Sequence, residues 1–187
     1  PDLIIVGEYI AIKTFLNESG KLKEQTAESG LANTQGWWNR IEAGDLDKDG
    51  DIDFVVGNHG LNSRFRASID KPVCMYVSDF DQNGTVEQII CNYYGDQSYP
   101  MVLRHDLVSQ IPSLKKKYLK YESYKDQTIT DIFTPEQLNV AIKLDVHQLE
   151  TSVLINQGGG KFAIRALPVE AQSAPMFGIE ITDLDGD

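Results

Sequence analysis

Short, uninterrupted apolar runs recur along the chain and predict strands. Three of them follow an acidic residue and end in Gly or Asn, at residues 2–7, 53–58 and 87–92. Apolar runs without polar alternation are typical of strands that are buried on both faces. Other strand-like runs lie before three acidic segments, and these runs are Arg40 to Gly44, Val73 to Val77 and Phe177 to Ile181. The repeated unit is therefore strand, acidic loop, strand.

A second pattern recurs at residues 12–22 and 152–162 and predicts β-hairpins. Both stretches combine an apolar run, a turn that contains Gly and a second strand-like run. Such a combination is typical of two antiparallel strands joined by a tight turn. The repeating unit is therefore a four-stranded antiparallel sheet. Its parts follow along the chain in the order loop, strand, hairpin, linker and strand. Repeated units of this kind suggest the blades of a β-propeller.

Residues 97–150 interrupt the repeat and are richer in Lys, Tyr, Gln and Leu. A proline near the first turn predicts a short helix at residues 111–119. Thr134 is a predicted N-cap, with Gln137 at the third helical position, and this second helix is expected to end near Glu150. Its apolar face would comprise Leu138, Ala141, Ile142 and Leu149. We therefore expect a helical insertion.

The acidic segments have a fixed spacing. Residues 45–53 and 79–87 carry oxygen-bearing side chains at positions 1, 3, 5, 7 and 9, with Gly at position 6. Residues 183–187 supply positions 1, 3 and 5 of a third copy, and Asp2 stands where position 9 of an earlier copy would fall. The candidate metal ligands are Asp45, Asp47, Asp49, Asp51 and Asp53 in the first loop, Asp79, Asp81, Asn83, Thr85 and Glu87 in the second, and Asp183, Asp185 and Asp187 in the third.

This spacing predicts calcium sites. Calcium takes about six to eight oxygen ligands, and alternate residues of a curled loop point toward one centre. Glycine at position 6 permits the sharp turn, because it adopts positive φ without steric cost. Carboxylates this close would repel one another without a cation between them. The loops are not EF-hands, because position 12 is Val56 in the first loop and Ile90 in the second rather than Glu.

The combination of loops and hairpins resembles the FG-GAP or VCBS repeat, the calcium-binding blade of integrin α-subunit-like propellers. The residues that carry the resemblance are Asp45 to Gly57, Asp79 to Asn92, Asp183 to Asp187 and the hairpin Leu154 to Phe162. The chain is similar to large secreted bacterial proteins related to the cartilage acidic proteins. The resemblance implies a propeller with calcium in the blade loops and a role in ligand binding or adhesion rather than catalysis.

The expected organisation is a mainly β chain of partial propeller blades, each a four-stranded antiparallel sheet with a calcium loop, plus the helical insertion. Residues 1–96 would hold blades with two calcium loops, 97–150 the insertion, and 151–187 a further blade that ends in a truncated loop. We expect a non-enzymatic segment of a protein located outside the cell, in the periplasm or on the outer surface, since such loops suit millimolar calcium. Its ligand would be a protein or a glycan.

Charge and hydropathy limit the classes of partner that the chain could bind. The chain has 28 acidic and 17 basic residues, a net charge of −11, but 12 of the acids lie in the predicted loops, Asp2 included. Nucleic acid is therefore excluded by the lack of a basic, aromatic surface rather than by bulk charge. No apolar run approaches the ~18 residues of a membrane span, and residues 1–20 show no signal peptide. The chain opens inside a strand-like run, so we expect a fragment of a longer protein.

Several alternatives remain open at this point. Cys74 and Cys91 flank the second loop and either form a disulfide or are two buried thiols, and we favour the thiols. The chain could also be an accessory domain of a carbohydrate-active enzyme, or a protein-interaction module that docks through residues 97–150. Exposed sheet edges of a partial propeller would invite self-association.

Overall fold

The computed structural model describes residues 1–185, which are mainly β and form two compact units. The first unit comprises Pro1–Phe65 with the described part of Val146–Asp187, and the second comprises Arg66–Asp145. The strands are β1 (Leu3–Ile5), β2 (Glu8–Ile10), β3 (Lys13–Glu18), β4 (Lys21–Glu24), β5 (Gly36–Trp37), β6 (Arg40–Gly44), β7 (Asp53–Gly57), β8 (Val73–Ser78), β9 (Glu87–Tyr94), β10 (Gln97–Pro100), β11 (Ile142–Val146), β12 (Ser152–Asn156) and β13 (Phe162–Ala166). The α-helices are α1 (Arg104–Gln110), α2 (Ile129–Ile132) and α3 (Pro135–Val140).

The first unit contains a four-stranded antiparallel sheet in the order β13-β12-β7-β6. A three-stranded sheet in the order β1-β3-β4 and the pair β2-β5 lie in the same unit. The two predicted hairpins are present as β3-β4 and β12-β13. Their core contains fully or almost fully buried Ile12, Leu31, Trp38, Val56 and Leu154. Val56 of β7 and Leu154 of β12 belong to this core, and the partly buried Ile4 of β1 packs against it. The apolar run of β7 is therefore mostly buried, as expected, whereas Leu3 and Ile5 of β1 are exposed.

The second unit contains a four-stranded sheet in the order β10-β9-β8-β11. The chain between Arg104 and Val140 packs on this sheet, because Leu107, Ile111 and Tyr118 share one core with Ile89. This core gives residues 104–140 a tertiary reason to be ordered, since short helices have little stability of their own. Within residues 1–185, the sheets of the two units close into no barrel or propeller.

The helical region differs from the prediction in its extent. The helix expected to end near Glu150 ends at Val140, and Ile142–Val146 form the strand β11 instead. The backbone leaves the helix at Ala141, which is extended, and the following residues alternate between apolar and polar as half-buried strands do. The capping box at Thr134 is confirmed, because its hydroxyl accepts from Gln137 N and its N–H donates to the Gln137 side chain. The helix predicted at residues 111–119 is a short 3₁₀ helix, Pro112–Lys115.

Two further sequence expectations change. Cys74 and Cys91 face each other across β8 and β9 with a Cα–Cα distance of 5.1 Å, and they form a disulfide, so the preference for free thiols is wrong. The strand predicted at residues 177–181 has no regular secondary structure and belongs to no sheet of the described chain. Among the described residues, no helix is both long and apolar enough to cross a membrane.

Candidate metal centres

The two complete acidic loops have the same backbone. Position 4 is left-handed in both, with φ of 62° at Lys48 and 58° at Gln82. Position 6 is left-handed too, with φ of 93° at Gly50 and 88° at Gly84. Glycine adopts this region freely, whereas a residue with a Cβ does so at a cost of about 1 kcal/mol or more. The same unusual turn at both sites confirms that the spacing in the sequence encodes one loop structure twice.

In the first loop, Asp45, Asp47 and Asp49 bring their carboxylates within 4.8 Å of one another, and all three side chains are exposed. Backbone N–H groups hold the turn, because Gly50 donates to Asp45 Oδ2 at 3.0 Å and Asp51 donates to Asp49 Oδ1 at 2.8 Å. The group could hold a metal ion. The predicted ligand Asp51 lies outside this group of three.

The carboxylates of the first loop repel one another. Partial desolvation, together with the nearby carboxylates of Asp49 and Asp53, raises the pKa of Asp47. A raised pKa means that the loop environment disfavours the ionised form of this carboxyl group. A cation between the carboxylates would remove that repulsion.

Asp53, at position 9 of the first loop, is fully buried with 0% exposure, and both of its oxygens accept backbone hydrogen bonds. Leu46 N donates to Oδ2 at 2.9 Å, and Asn156 N donates to Oδ1 at 2.7 Å. The carboxylate therefore joins the loop to strand β12. Asp53 is a predicted ligand that the structure does not bring to the group formed by Asp45, Asp47 and Asp49.

In the second loop, the position 9 residue is part of the group. Asp79, Asp81 and Glu87 place carboxylate oxygens within 4.8 Å of one another. Glu87 is only 4% exposed, and its Oε2 accepts from Phe80 N at 2.9 Å. Glu87 Oε1 and Asp81 Oδ1 are buried and accept no hydrogen bond. Buried polar atoms normally have hydrogen-bond partners. A buried polar atom without a partner costs about 1–3 kcal/mol of stability, and a charged one costs more.

The remaining polar residues of the second loop shape it. Asn83 N and Gly84 N donate to the two oxygens of Asp79, at 3.0 and 2.9 Å. Asn83 Oδ1 accepts from Thr85 N at 2.7 Å. The predicted ligands Asn83 and Thr85 are therefore joined by a hydrogen bond that stabilises the turn, in which Asn83 contributes its side-chain oxygen and Thr85 its backbone N–H.

The structure also describes the acidic residues of the two incomplete loops, near Asp183 and at Asp2. Asp185 N donates to Asp183 Oδ1 at 3.3 Å, while Asp187 lies outside the described residues. At the other end of the chain, Asp2 Oδ1 accepts from Asn17 N at 2.8 Å. This bond is equivalent to the one between Asp53 and Asn156, so Asp2 occupies position 9 relative to strands β1 and β3.

Sequence reasoning missed the different roles of the position 9 residues. The only signal in the sequence is that Glu87 is one methylene longer than Asp53. Its Oε2 accepts from the N–H of loop position 2, as Asp53 Oδ2 does, while its Oε1 is buried without a hydrogen-bond partner. No sequence model of a known family, no curated protein and no solved structure matches the chain.

Proposed function

We propose that the chain is a calcium-binding segment of the FG-GAP or VCBS type from a protein of the cell exterior, with structural calcium in its loops and a role in ligand binding or adhesion. The observation that carries this proposal is the second loop, where two buried carboxylate oxygens have no partner. A divalent cation would satisfy Glu87 Oε1 and Asp81 Oδ1 together. The repeated loop backbone extends the proposal to the first loop.

The donor set favours calcium among the common divalent cations. Both groups of three offer carboxylate oxygen and contain neither His nor Cys, which zinc prefers. The loops are irregular turns that supply backbone and side-chain oxygen, and calcium accepts such variable geometry. Magnesium demands nearly ideal octahedral coordination and keeps several waters.

The position of the second group explains why a structural role is favoured. Asp79 follows directly on β8, and Glu87 is the first residue of β9. An ion held by both residues would join the facing ends of two paired strands and neutralise carboxylates that repel one another. Binding to the folded state alone would add about 2.7 kcal/mol of stability at a calcium concentration 100 times the Kd.

Thermal unfolding in excess calcium and in excess chelator tests the proposal. We expect calcium to raise the Tm by several degrees, since each kcal/mol is worth about 2–4 °C at this chain length. Magnesium at the same concentration should raise it much less. The matched control is Asp126→Asn, which removes one exposed acid outside both loops and should leave the calcium effect unchanged. An identical Tm in calcium and in chelator would contradict the proposal.

A second candidate function is protein interaction through the helical part of the second unit. Leu119 and Val140 are 72% and 79% exposed, and Leu103, Tyr121 and Ile142 are also more than half exposed. Exposed apolar side chains are typical of interaction surfaces when they are grouped. Deleting the segment would remove core residues such as Leu107, so the test is the double variant Leu119→Ser with Val140→Ser. Unchanged binding to every protein or glycan ligand of the wild-type chain would exclude this surface.

A further inference from the structure

Asn83 stands at position 5 of the second loop and is followed by Gly84. The chain has nine asparagines, and Asn83 is the only one that glycine follows. The backbone nitrogen of the next residue can attack an asparagine side-chain amide, and glycine leaves that nitrogen unobstructed because it has no Cβ. Both residues are exposed to water. Asn83 is therefore the asparagine of this chain that is most open to spontaneous deamidation.

Deamidation at this position proceeds in two steps. Gly84 N forms a bond to the side-chain carbonyl carbon of Asn83, and that carbon releases its own nitrogen as ammonia, which takes up the proton of the Gly84 N–H. Water then opens the cyclic imide at one of its two carbonyl carbons. One opening leaves aspartate at position 83, and the other leaves isoaspartate, in which the side-chain carbon has entered the main chain. Water is the only co-reactant.

Hydrogen bonds hold both reacting groups in an unreactive arrangement. Gly84 N donates to Asp79 Oδ2 at 2.9 Å, so its N–H is directed to that carboxylate. Asn83 Oδ1 accepts from Thr85 N at 2.7 Å, and Asn83 N donates to Asp79 Oδ1 at 3.0 Å. The attack therefore requires a local opening of the loop that breaks these hydrogen bonds.

Asp79 connects this arrangement to the candidate metal centre. Its carboxylate belongs to the group of three with Asp81 and Glu87. The same carboxylate accepts the hydrogen bonds from Asn83 and Gly84. An ion in the group would fix Asp79 and keep Gly84 N away from the Asn83 side chain. Without an ion, repulsion among the carboxylates favours opening of the loop.

We propose that Asn83 is a site of spontaneous deamidation and that the ion of the second loop controls its rate. This inference rests on the calcium proposed for that loop. Because only the ion-free loop opens, calcium at 100 times the Kd should slow the reaction by about 100-fold. The aspartate product would match Asp49, which stands at position 5 of the first loop. The isoaspartate product lengthens the main chain before Gly84 and displaces its hydrogen bond to Asp79.

Ageing of the folded chain at mildly alkaline pH tests the inference, with peptide mass spectrometry as the readout. Samples in excess calcium and in excess chelator are compared for the mass difference between an amide and an acid. We expect Asn83 to deamidate in chelator and to be protected in calcium. Asn33 and Asn139 are internal references, because both are exposed and are followed by the β-branched Thr34 and Val140, which hinder the attack. Their slow rates should not depend on calcium.

Two variants, both aged in calcium, assign the protection to the second loop. Glu87→Gln removes a carboxylate from the second group and should leave Asn83 as reactive as it is in chelator. The matched control Asp47→Asn removes a carboxylate from the first group and should leave Asn83 protected. Unchanged slow rates at Asn33 and Asn139 show that each variant is folded, since global unfolding would expose every asparagine.

The possible results separate this inference from the proposed function. Equal rates at Asn83 in calcium and in chelator, in a chain whose Tm calcium raises, would overturn the inference and leave the calcium proposal standing. A rate in chelator no faster than that of Asn33, or equal protection in Glu87→Gln and Asp47→Asn, would also overturn it. If calcium changes neither the rate nor the Tm, the proposed calcium site fails and the inference fails with it.

Discussion

The first and second loops share one backbone conformation but differ in where they place their carboxylates. The first has carboxylates at all five alternate positions, and its group of three is exposed to solvent. The second has only three carboxylates, but Glu87 is buried and keeps one oxygen without a partner. We therefore expect the affinity of a loop for an ion to depend less on its number of acids than on the number of carboxylate oxygens that the fold leaves without a hydrogen-bond partner.

The position 9 residue makes this difference. In the first loop, the shorter Asp53 uses both oxygens for backbone N–H groups and anchors the loop to β12. In the second loop, the longer Glu87 uses one oxygen in the same way, and its other oxygen is buried without a hydrogen-bond partner. We therefore interpret Asp53 as an anchor and Glu87 as a ligand.

The largest expected effect on stability comes from the disulfide, which belongs to the second loop alone. Cys74 and Cys91 are 17 residues apart, and the whole loop lies between them. Replacing both by Ala should lower the free energy of unfolding by about 3 kcal/mol, because the unfolded chain is no longer constrained. It should also weaken calcium binding at the second loop but not at the first. Denaturant unfolding and a calcium titration measure the two effects.

The control for the disulfide is Ser98→Ala, which removes the hydroxyl 3.7 Å from Cys74 Sγ and keeps the bridge. It should leave both stability and calcium binding near the wild-type values. A double Cys variant as stable as the wild-type chain would contradict the assigned role of the bridge in the second loop.

The next effect tests Asp53 as an anchor. In excess chelator, Asp53→Asn should cost about 1–3 kcal/mol, because an amide nitrogen cannot accept the hydrogen bond that one carboxylate oxygen accepted. Asp51→Asn removes the same charge from the same loop at an exposed position and should cost little. Equal costs for the two variants, measured by denaturant unfolding, would mean that Asp53 matters only through its charge.

How far the sequence predicts these features depends on the range of the interactions. The loop turns and hairpins follow from local spacing, because Gly50 and Gly84 encode the left-handed turn. The role of Asp53 does not follow from local sequence, because its partner Asn156 is 103 residues away. The end of α3 was mispredicted for the same reason, since the apolar residues around Ile142 suit either a helix or a strand. Packing of β11 beside β8 decides between them.

The smallest expected effect lies outside both loops and serves as a reference. The Thr128 hydroxyl accepts from Asp131 N, and Asp131 accepts from Thr128 N, at the start of α2. Thr128→Ala should lower the free energy of unfolding by about 1 kcal/mol and leave calcium binding unchanged. A calcium affinity that changes with Thr128→Ala would mean that general loss of stability, and not the ligand set, controls binding.

The capping box of α2 also predicts how the free energy of unfolding depends on pH. Hydrogen bonds from the Thr128 side chain and backbone lower the pKa of Asp131. Because the folded-state pKa is lowered, this contribution is fully present above the ordinary aspartate pKa and is lost as the pH falls through the lowered value. Asp131→Asn should flatten the acid limb of the stability profile, measured by denaturant unfolding at a series of acidic pH values. If the stability of Asp131→Asn falls with decreasing pH as steeply as that of the wild-type chain, the assigned role of Asp131 is wrong.

Calcium titration of Glu87→Gln and Asp53→Asn by calorimetry tests the distinction between ligand and anchor most directly. Both variants remove one buried negative charge at position 9 of a loop. We predict that Glu87→Gln weakens one of two calcium-binding events by about tenfold or more, equivalent to ~1.4 kcal/mol. Asp53→Asn should keep both events near the wild-type affinity at a temperature where it is folded. Two unchanged events in Glu87→Gln, or the loss of one event in Asp53→Asn alone, would contradict the account.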